Sequence, residues 1–282
     1  MNLLLPLIVG LLAFGQEAPR AAQQGKGRAF ERIVIERDDY AVFFDLYPHG
    51  EGTGVPDGQE PMLVLFHDSR GSRGQFRDIA PRLTAAGYTC LAVDLGLGRE
   101  SRGVKNRTAK IARERGHDVD FAQAQVDLEA ALLWAREHHL LGPVVALGDG
   151  YSAGLALVTA SLRPDLVDGA LAFSPSECFS KIGKGATWVT ESLAECRSPV
   201  FLAGAPAEAE VLRGFLEAIP VETRTLYVPT EGTYGTEALQ AGSPGHDACW
   251  EAVEAFLRAH FPVQAPSSED AGGAGGTSDG PR

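Results

Sequence analysis

Residues 143–163 read PVVALGDGYSAGLALVTASLR. An apolar run, Val144 to Leu147, halts at Gly148-Asp149-Gly150, and a helix-compatible run, Ser152 to Leu162, follows at once. A strand that turns straight into a helix is where open α/β sheets gather their chemistry. Small residues at the bend let the backbone turn and let the helix lie close on the strand. Three motifs overlap here. Gly150-Tyr151-Ser152-Ala153-Gly154 is a literal G-x-S-x-G, which makes Ser152 the nucleophile of an elbow. Gly148-x-Gly150-x-x-Ala153 is a literal dinucleotide fingerprint. Counted instead from the glycine that closes the strand, Gly148, the nucleophile slot falls two residues on, at Gly150, which has no side chain.

Working outward, Ile33–Ile35 and Tyr40–Tyr47 are β-rich runs around Asp38-Asp39, a hairpin signal. Met62–Phe66 is continuously apolar and reads as a buried strand. A helix over Gln75–Ala86 carries Phe76, Ile79 and Leu83 on one face and ends before Gly87. Tyr88–Asp94 is the next buried strand. Residues 95–117 are charged, lack an apolar stripe and exceed an ordinary connection, so they form a cap over a site or a mobile segment. A helix over Asp118–His138 places Val126, Ala130 and Leu133 on one stripe. Beyond the central motif, Asp168–Ser174 and Pro199–Gly204 are strands. The helix Glu208–Ile219 turns Val211, Leu212, Phe215 and Ile219 inward. Thr223–Val228 is the last strand, and the helix Ala248–Phe261 buries Trp250, Val253 and Leu257. Two antiparallel strands followed by strand–helix alternation predict an α/β fold: a mostly parallel eight-stranded sheet with helices on both faces.

The 282 residues, 44% hydrophobic, suffice for one sizeable core. A net charge of −12 argues against a nucleic-acid partner, since there is no surplus to neutralise phosphates. The Arg/Lys-rich stretch 97–115 is the local exception and reads as a solvated loop and helix face. Residues 1–14, MNLLLPLIVGLLAF, are apolar but shorter than the roughly 18–20 residues of a membrane span. They read as a signal peptide over 1–15 with cleavage near Gly15, hence an exported protein, periplasmic or secreted, with no membrane span after cleavage. Residues 16–30 form a linker, 31–262 the folded domain, and 263–282 a Gly/Ser/Asp/Pro tail that cannot offset its own ordering entropy. Of four cysteines, none lies in C-x-x-C. Cys178 and Cys196 could pair in an oxidising compartment or remain thiols. The seven histidines show no metal-ligand spacing, so no metal is expected.

Four stretches carry a resemblance. LFHDSRGSRGQF, IAPRLTAAGYTCLAVDLG, LGDGYSAGLAL and LAFSP resemble, in that order, segments of the dienelactone-hydrolase-like branch of the α/β-hydrolase superfamily, and the likeness spans about residues 31–261. The resemblance implies a serine hydrolase of esters or lactones whose triad arrives as nucleophile, acid, then histidine. Laid on that pattern, the nucleophile slot is Gly150 and the acid is Glu208, after PVFLAG. The histidine slot, within GTYGT, is Tyr234. Pro164, fourteen residues after Gly150, keeps this register. The oxyanion donors implied are backbone N–H groups of Tyr151 and of Asp68 or Ser69. Tyrosine, with a pKa near 10, is a poor general base at neutral pH. The leading expectation is therefore a hydrolase scaffold with a degraded triad, a pseudoenzyme whose pocket takes a small ester, lactone or carboxylate. The alternative is an active carboxylic ester hydrolase using Ser152, His246 and Glu208. On the blander view Ser152 is a first-turn helix residue and His246 a helix-entry residue beside Asp247. The dinucleotide fingerprint sits on the fifth strand rather than the first and lacks an acid at the next strand end, so no cofactor is expected.

Overall fold

The computed structural model describes residues 30–37, 40–50, 58–139 and 141–263. The expected signal peptide, almost all of the linker, the Asp38-Asp39 turn and nearly all of the tail lie outside these residues. In chain order the strands are β1 (Glu31–Glu36), β2 (Ala41–Tyr47), β3 (Met62–Phe66), β4 (Thr89–Val93), β5 (Glu100–Ser101), β6 (Val104–Lys105), β7 (Val144–Asp149), β8 (Gly169–Phe173), β9 (Val200–Ala203) and β10 (Arg224–Tyr227). The helices are α1 (Ala80–Ala85), α2 (Arg107–Glu114), α3 (Phe121–His138), α4 (Tyr151–Leu162), α5 (Trp188–Leu193), α6 (Ala209–Ala218) and α7 (His246–His260).

Eight strands form one sheet in the order β1-β2-β4-β3-β7-β8-β9-β10, and β5 pairs with β6 apart from it. β1 and β2 are antiparallel, β2 joins β4 antiparallel, and every later pairing in the sheet is parallel. The continuous apolar runs of β3, β4, β7, β8 and β9 are buried from end to end, as strands covered on both faces must be. Alternation sorts their side chains. Met62, Val64 and Phe66 enter a core with Leu128 and Leu132 of α3, Leu155 and Leu157 of α4, and Leu212 and Phe215 of α6. Leu63 and Leu65 face the other way, onto Leu83 of α1 and Trp250, Val253 and Leu257 of α7. This is the α/β-hydrolase architecture expected from the sequence.

Several local expectations need correction. The helix predicted over Gln75–Ala86 is a 3₁₀ turn, Arg73–Phe76, followed by the short α1. Pro81 sits in the first turn of α1, where its missing N–H costs nothing; one turn deeper in a longer helix it would remove a bond. In α3 the buried stripe is Ala124, Leu128, Ala131, Leu132 and Ala135, whereas Val126 and Leu133 are exposed and Ala130 half-buried. A polar group sets that phase: Asp127 is buried, accepting from the Tyr40 hydroxyl and, at 2.7 Å, from the Gly96 amide. Val211 of α6 is likewise exposed. Residues 95–117 carry the β5–β6 hairpin and then α2, whose N-cap Asn106 accepts from the Ala109 amide at 2.8 Å. Cys178 and Cys196 are both free thiols, the first exposed and the second buried. No described helix is long and apolar enough to cross a membrane.

Arg73 anchors the loop after β3. Its guanidinium lies 3.0 Å from Asp45 and also pairs with Asp94, all three groups being buried. The Asp94 carboxylate takes further bonds from the Arg73 amide at 2.8 Å and the Arg107 amide at 2.7 Å, so it is spent on backbone and cation together.

Candidate active site

The bend after β7 is the centre of the site. Gly150 has φ 61° and ψ −119° and is the N-cap of α4. A residue with a Cβ is strained in that region, and such strain clusters where a fold aims a reacting side chain. The turn is therefore of elbow type, and its apex is Gly150 rather than Ser152. Gly148 makes it possible: a Cβ there would sit 2.4 Å from the Ser152 carbonyl oxygen, so only glycine lets α4 pack this close to β7.

Ser152 is fully buried. Its hydroxyl donates to the Phe66 carbonyl at 2.8 Å and accepts from the Asp149 amide at 2.9 Å. It joins β3 to the bend instead of standing at its tip. His246 opens α7 behind Gly245 and lies 4.0 Å from Asp247. Among the described residues no hydrogen bond or ion pair links His246 to Ser152 or Glu208.

The slot above Gly150 is occupied. A Cβ built on Gly150 would lie 2.3 Å from Asp68 Oδ1 and 2.7 Å from the Tyr234 hydroxyl. The Asp68 carboxylate stands where a nucleophile's side chain would project, with Tyr234 beside it from the position matched to histidine. Burial, then Asp68, Asp149 and Glu208, push the Tyr234 phenol well above its ordinary range, so it stays protonated. Tyr151, also buried, is raised by desolvation first and Asp68 second, and its hydroxyl has no partner among the described residues.

Glu208, matched to the acid position, is held by two hydrogen bonds. Its Oε2 accepts from the Ser174 hydroxyl at 2.7 Å and the Ala205 amide at 2.8 Å. Ser174, at φ 49°, in turn accepts from the Gly235 amide at 2.8 Å. The acid therefore acts through Ser174 on the loop that carries Tyr234. A second clamp holds the same loop. Asp149, the last residue of β7, accepts from the Thr236 amide at 3.1 Å, from the Thr236 hydroxyl at 2.7 Å and from the Gln75 side chain. Burial raises its pKa to about 7, with the Thr236 bonds opposing the rise. The Asp149 second oxygen has no hydrogen-bond partner among the described residues and lies against Gly235, where a Cβ would be 2.0 Å away.

Of the oxyanion donors expected from the sequence, Tyr151 is the first residue of α4, and first-turn amides have no intrahelical acceptor. The Asp68 amide is directed to Gln75 Oε1 at 3.3 Å, which leaves Ser69 as the donor from that loop. His67, fully buried, is neutral: desolvation lowers its pKa to about 4, and its Nε2 accepts from the Leu95 amide at 3.0 Å. It ties two loops together. A cleft of about 390 Å³ opens over these groups, walled by Asp68, Ser69, Phe121, Tyr151, Cys178 and Tyr234 among others. No cluster of His, Cys, Asp or Glu able to hold a metal exists among the described residues.

The sequence reading placed Asp68 here for its backbone N–H and did not foresee its side chain as the occupant of the slot. It also missed Asp149, Gln75, Thr236 and Ser174. One signal was available: an ionisable residue at the end of an otherwise apolar, fully covered strand needs partners.

Known proteins bear on this geometry. The sequence model of the dienelactone hydrolase family matches residues 52–204. No curated protein sequence matches the chain. Among solved structures, a dienelactone hydrolase from Anabaena variabilis is 18% identical, with a TM-score of 0.60 over 83% of this chain and all of its own. Esterase 2 of Thermogutta terrifontis in its apo form is 18% identical, with a TM-score of 0.63 over 84% of this chain and 96% of its own. That esterase has also been captured with propionate bound. An esterase of Pyrococcus furiosus is 15% identical, with a TM-score of 0.59 over 82% and 90%. At these identities the likeness speaks for the fold.

Proposed function

We propose, for a chain that belongs to the dienelactone hydrolase family, that it retains the ester-hydrolase scaffold but has given up acyl transfer and serves as a binding protein for a small ligand. One observation carries this: the space a nucleophile needs above Gly150 is filled by the Asp68 carboxylate and the Tyr234 hydroxyl. Acyl transfer requires a nucleophile, a base to take its proton and an orienting acid. Gly150 supplies no nucleophile, the raised Tyr234 phenol cannot serve as base near neutrality, and Glu208 is committed to Ser174 and Ala205.

The cleft suits a small carbonyl ligand, an ester, lactone or carboxylate. Asp68 and Arg70 both line it, so the acid's repulsion of an anion is opposed by a neighbouring cation. The Tyr151 and Ser69 amides and the unpartnered Tyr151 hydroxyl are suited to a carbonyl or hydroxyl oxygen. Export remains part of the proposal, on the apolar 1–15 segment alone.

The test is covalent. Incubate purified protein with a fluorophosphonate probe and an activated acetate ester, then map any adduct. The reading expects no adduct and no turnover above that of Gly150→Ala. Labelling at Ser152 that disappears in Ser152→Ala would overturn it.

A further inference from the structure

A second cavity, of about 470 Å³, lies away from the bend, between the β5–β6 hairpin and α2. It is lined by Arg99, Glu100, Lys105, Asn106, Lys110 and Arg113. Four cations therefore face one acid, in a protein whose net charge is −12. Like charges gather only at a cost, so their convergence needs a reason. Intramolecular pairing does not supply it. Among the described residues Arg99 and Lys105 form no ion pair. Lys110 has only the exposed partner Glu114, one turn on at 3.6 Å, and such pairs contribute little. Arg113 donates to the Gly98 carbonyl at 2.6 Å, which fixes its guanidinium without neutralising it. Of the other cations of the segment, Arg102 pairs with Asp78 and Arg107 lies over the Phe43 ring.

The walls are anchored. Ser72 Oγ donates to the Val104 carbonyl at 2.7 Å and accepts from the Ser101 amide at 3.2 Å, which nails the hairpin to the loop after β3. The Arg99 amide donates to the Gly71 carbonyl at 3.0 Å and the Asn106 amide to the Arg99 carbonyl at 2.6 Å. Buried Asn106 caps α2 and donates to the Leu95 carbonyl at 2.9 Å. The cations thus project from a fixed frame, which lowers the ordering cost of binding.

We infer that this cavity is a binding site for a small molecule bearing a diphosphate group, independent of the cleft over Gly150. Two guanidinium forks and two ammonium groups match the many oxygens of adjoining phosphates, where planar bidentate donors work best. The local balance of four cations and one carboxylate is near the charge of a diphosphate and exceeds that of a single carboxylate. A long polyanion is disfavoured, because the acidic remainder of the surface would repel it beyond the cavity.

The experiment is isothermal titration of the full chain with inorganic pyrophosphate at low ionic strength, with orthophosphate and a heparin oligosaccharide in parallel. Saturable one-to-one pyrophosphate binding, at least tenfold tighter than orthophosphate, is expected. Hydrogen bonds to charged groups make each lost cation cost about tenfold or more, so Lys105→Ala/Lys110→Ala should weaken binding about a hundredfold. Lys181→Ala, an exposed cation outside the cavity, should bind as the parent does. Arg99→Gln alone gives a second reading if the double variant unfolds. The inference is overturned if pyrophosphate shows no saturable binding, if the cavity variants bind unchanged, if orthophosphate binds equally well, or if only heparin binds.

Discussion

Replacing Gly150 with alanine tests the central geometric claim with the smallest possible change. At φ 61° and ψ −119° a β-carbon is strained, and holding a residue in such a region costs about 1–3 kcal/mol. The new methyl would also start 2.3 Å from Asp68 Oδ1 and 2.7 Å from the Tyr234 hydroxyl. Both are ends of rotatable side chains, so each can swing aside, with Asp68 moving furthest. A fall of about 2–3 kcal/mol in unfolding free energy is expected, the upper part of the strain range, because displacement adds to strain. For a domain of this size that lowers Tm by about 4–12 °C, at roughly 2–4 °C per kcal/mol. Thermal and urea unfolding of four proteins close a cycle: parent, Gly150→Ala, Asp68→Ala and the double variant. If the carboxylate truly fills the slot, Asp68→Ala relieves part of the alanine penalty, and the two changes couple by about 0.5 kcal/mol or more. The reasoning is refuted if Gly150→Ala is neutral or stabilising. At an unstrained position alanine would instead gain about 0.4–1 kcal/mol by restricting the unfolded chain.

Three further outcomes follow from the hydrogen-bond geometry. Ser152→Ala strands the Asp149 amide and the Phe66 carbonyl, so unfolding free energy should drop by about 1–3 kcal/mol with no loss of any ester turnover, checked by urea titration beside an activated-ester assay. Asp149 has a folded pKa of about 7, above the unfolded value near 3.9, so the native state holds the extra proton between these limits. Its contribution is complete below pH 4 and is lost as pH rises to 7; urea unfolding from pH 4 to 8 should fall more steeply in the parent than in Asp149→Asn, and parallel curves would sink the assignment. Glu208→Ala frees the Ser174 hydroxyl and unlatches the loop of Tyr234, so the Gly235 amide should exchange with deuterium at least tenfold faster while amides of β3 and β7 keep their protection.

The sheet was legible because its signals are strong. Runs such as Met62–Phe66 and Val144–Leu147 have no polar residue to accommodate, and covered parallel strands are the structure that demands such runs. Helix faces were less legible. The stripe Val126–Leu133 has helical spacing, yet Asp127 turns inward because the Gly96 amide and Tyr40 hydroxyl need its carboxylate, and the helix rotates with it. At the site, counting from Gly148 pointed to Gly150, which has a positive φ. Asp68 could not be found that way. Eighty-two positions separate it from Gly150 in sequence, and its placement depends on how the loop after β3 is pinned through Arg73, His67 and Gln75.

The same bonds would let the fold tolerate the proposed loss of acyl transfer. In an active hydrolase of this kind, the acid–histidine and histidine–nucleophile hydrogen bonds also fasten the loop after the last strand to the strand ends. Removing them would leave that loop free and expose buried polar groups without partners, at a cost of about 1–3 kcal/mol for each. Here the loop is held by two clamps that contain neither nucleophile nor histidine. Glu208 reaches it through Ser174, and Asp149 with Gln75 grips Thr236 directly. The volume a nucleophile's side chain would need at Gly150 is closed by Asp68 and Tyr234. Restoring one triad residue should therefore fail to restore activity: Gly150→Ser collides with Asp68, and Tyr234→His finds its acid already taken. Only a combined change, Asp68→Ala with Gly150→Ser, Ser174→Ala and Tyr234→His, removes the plug and frees Glu208 from Ser174 together. Fluorophosphonate labelling at position 150 in that quadruple variant, and in none of the single ones, is the outcome this arrangement requires.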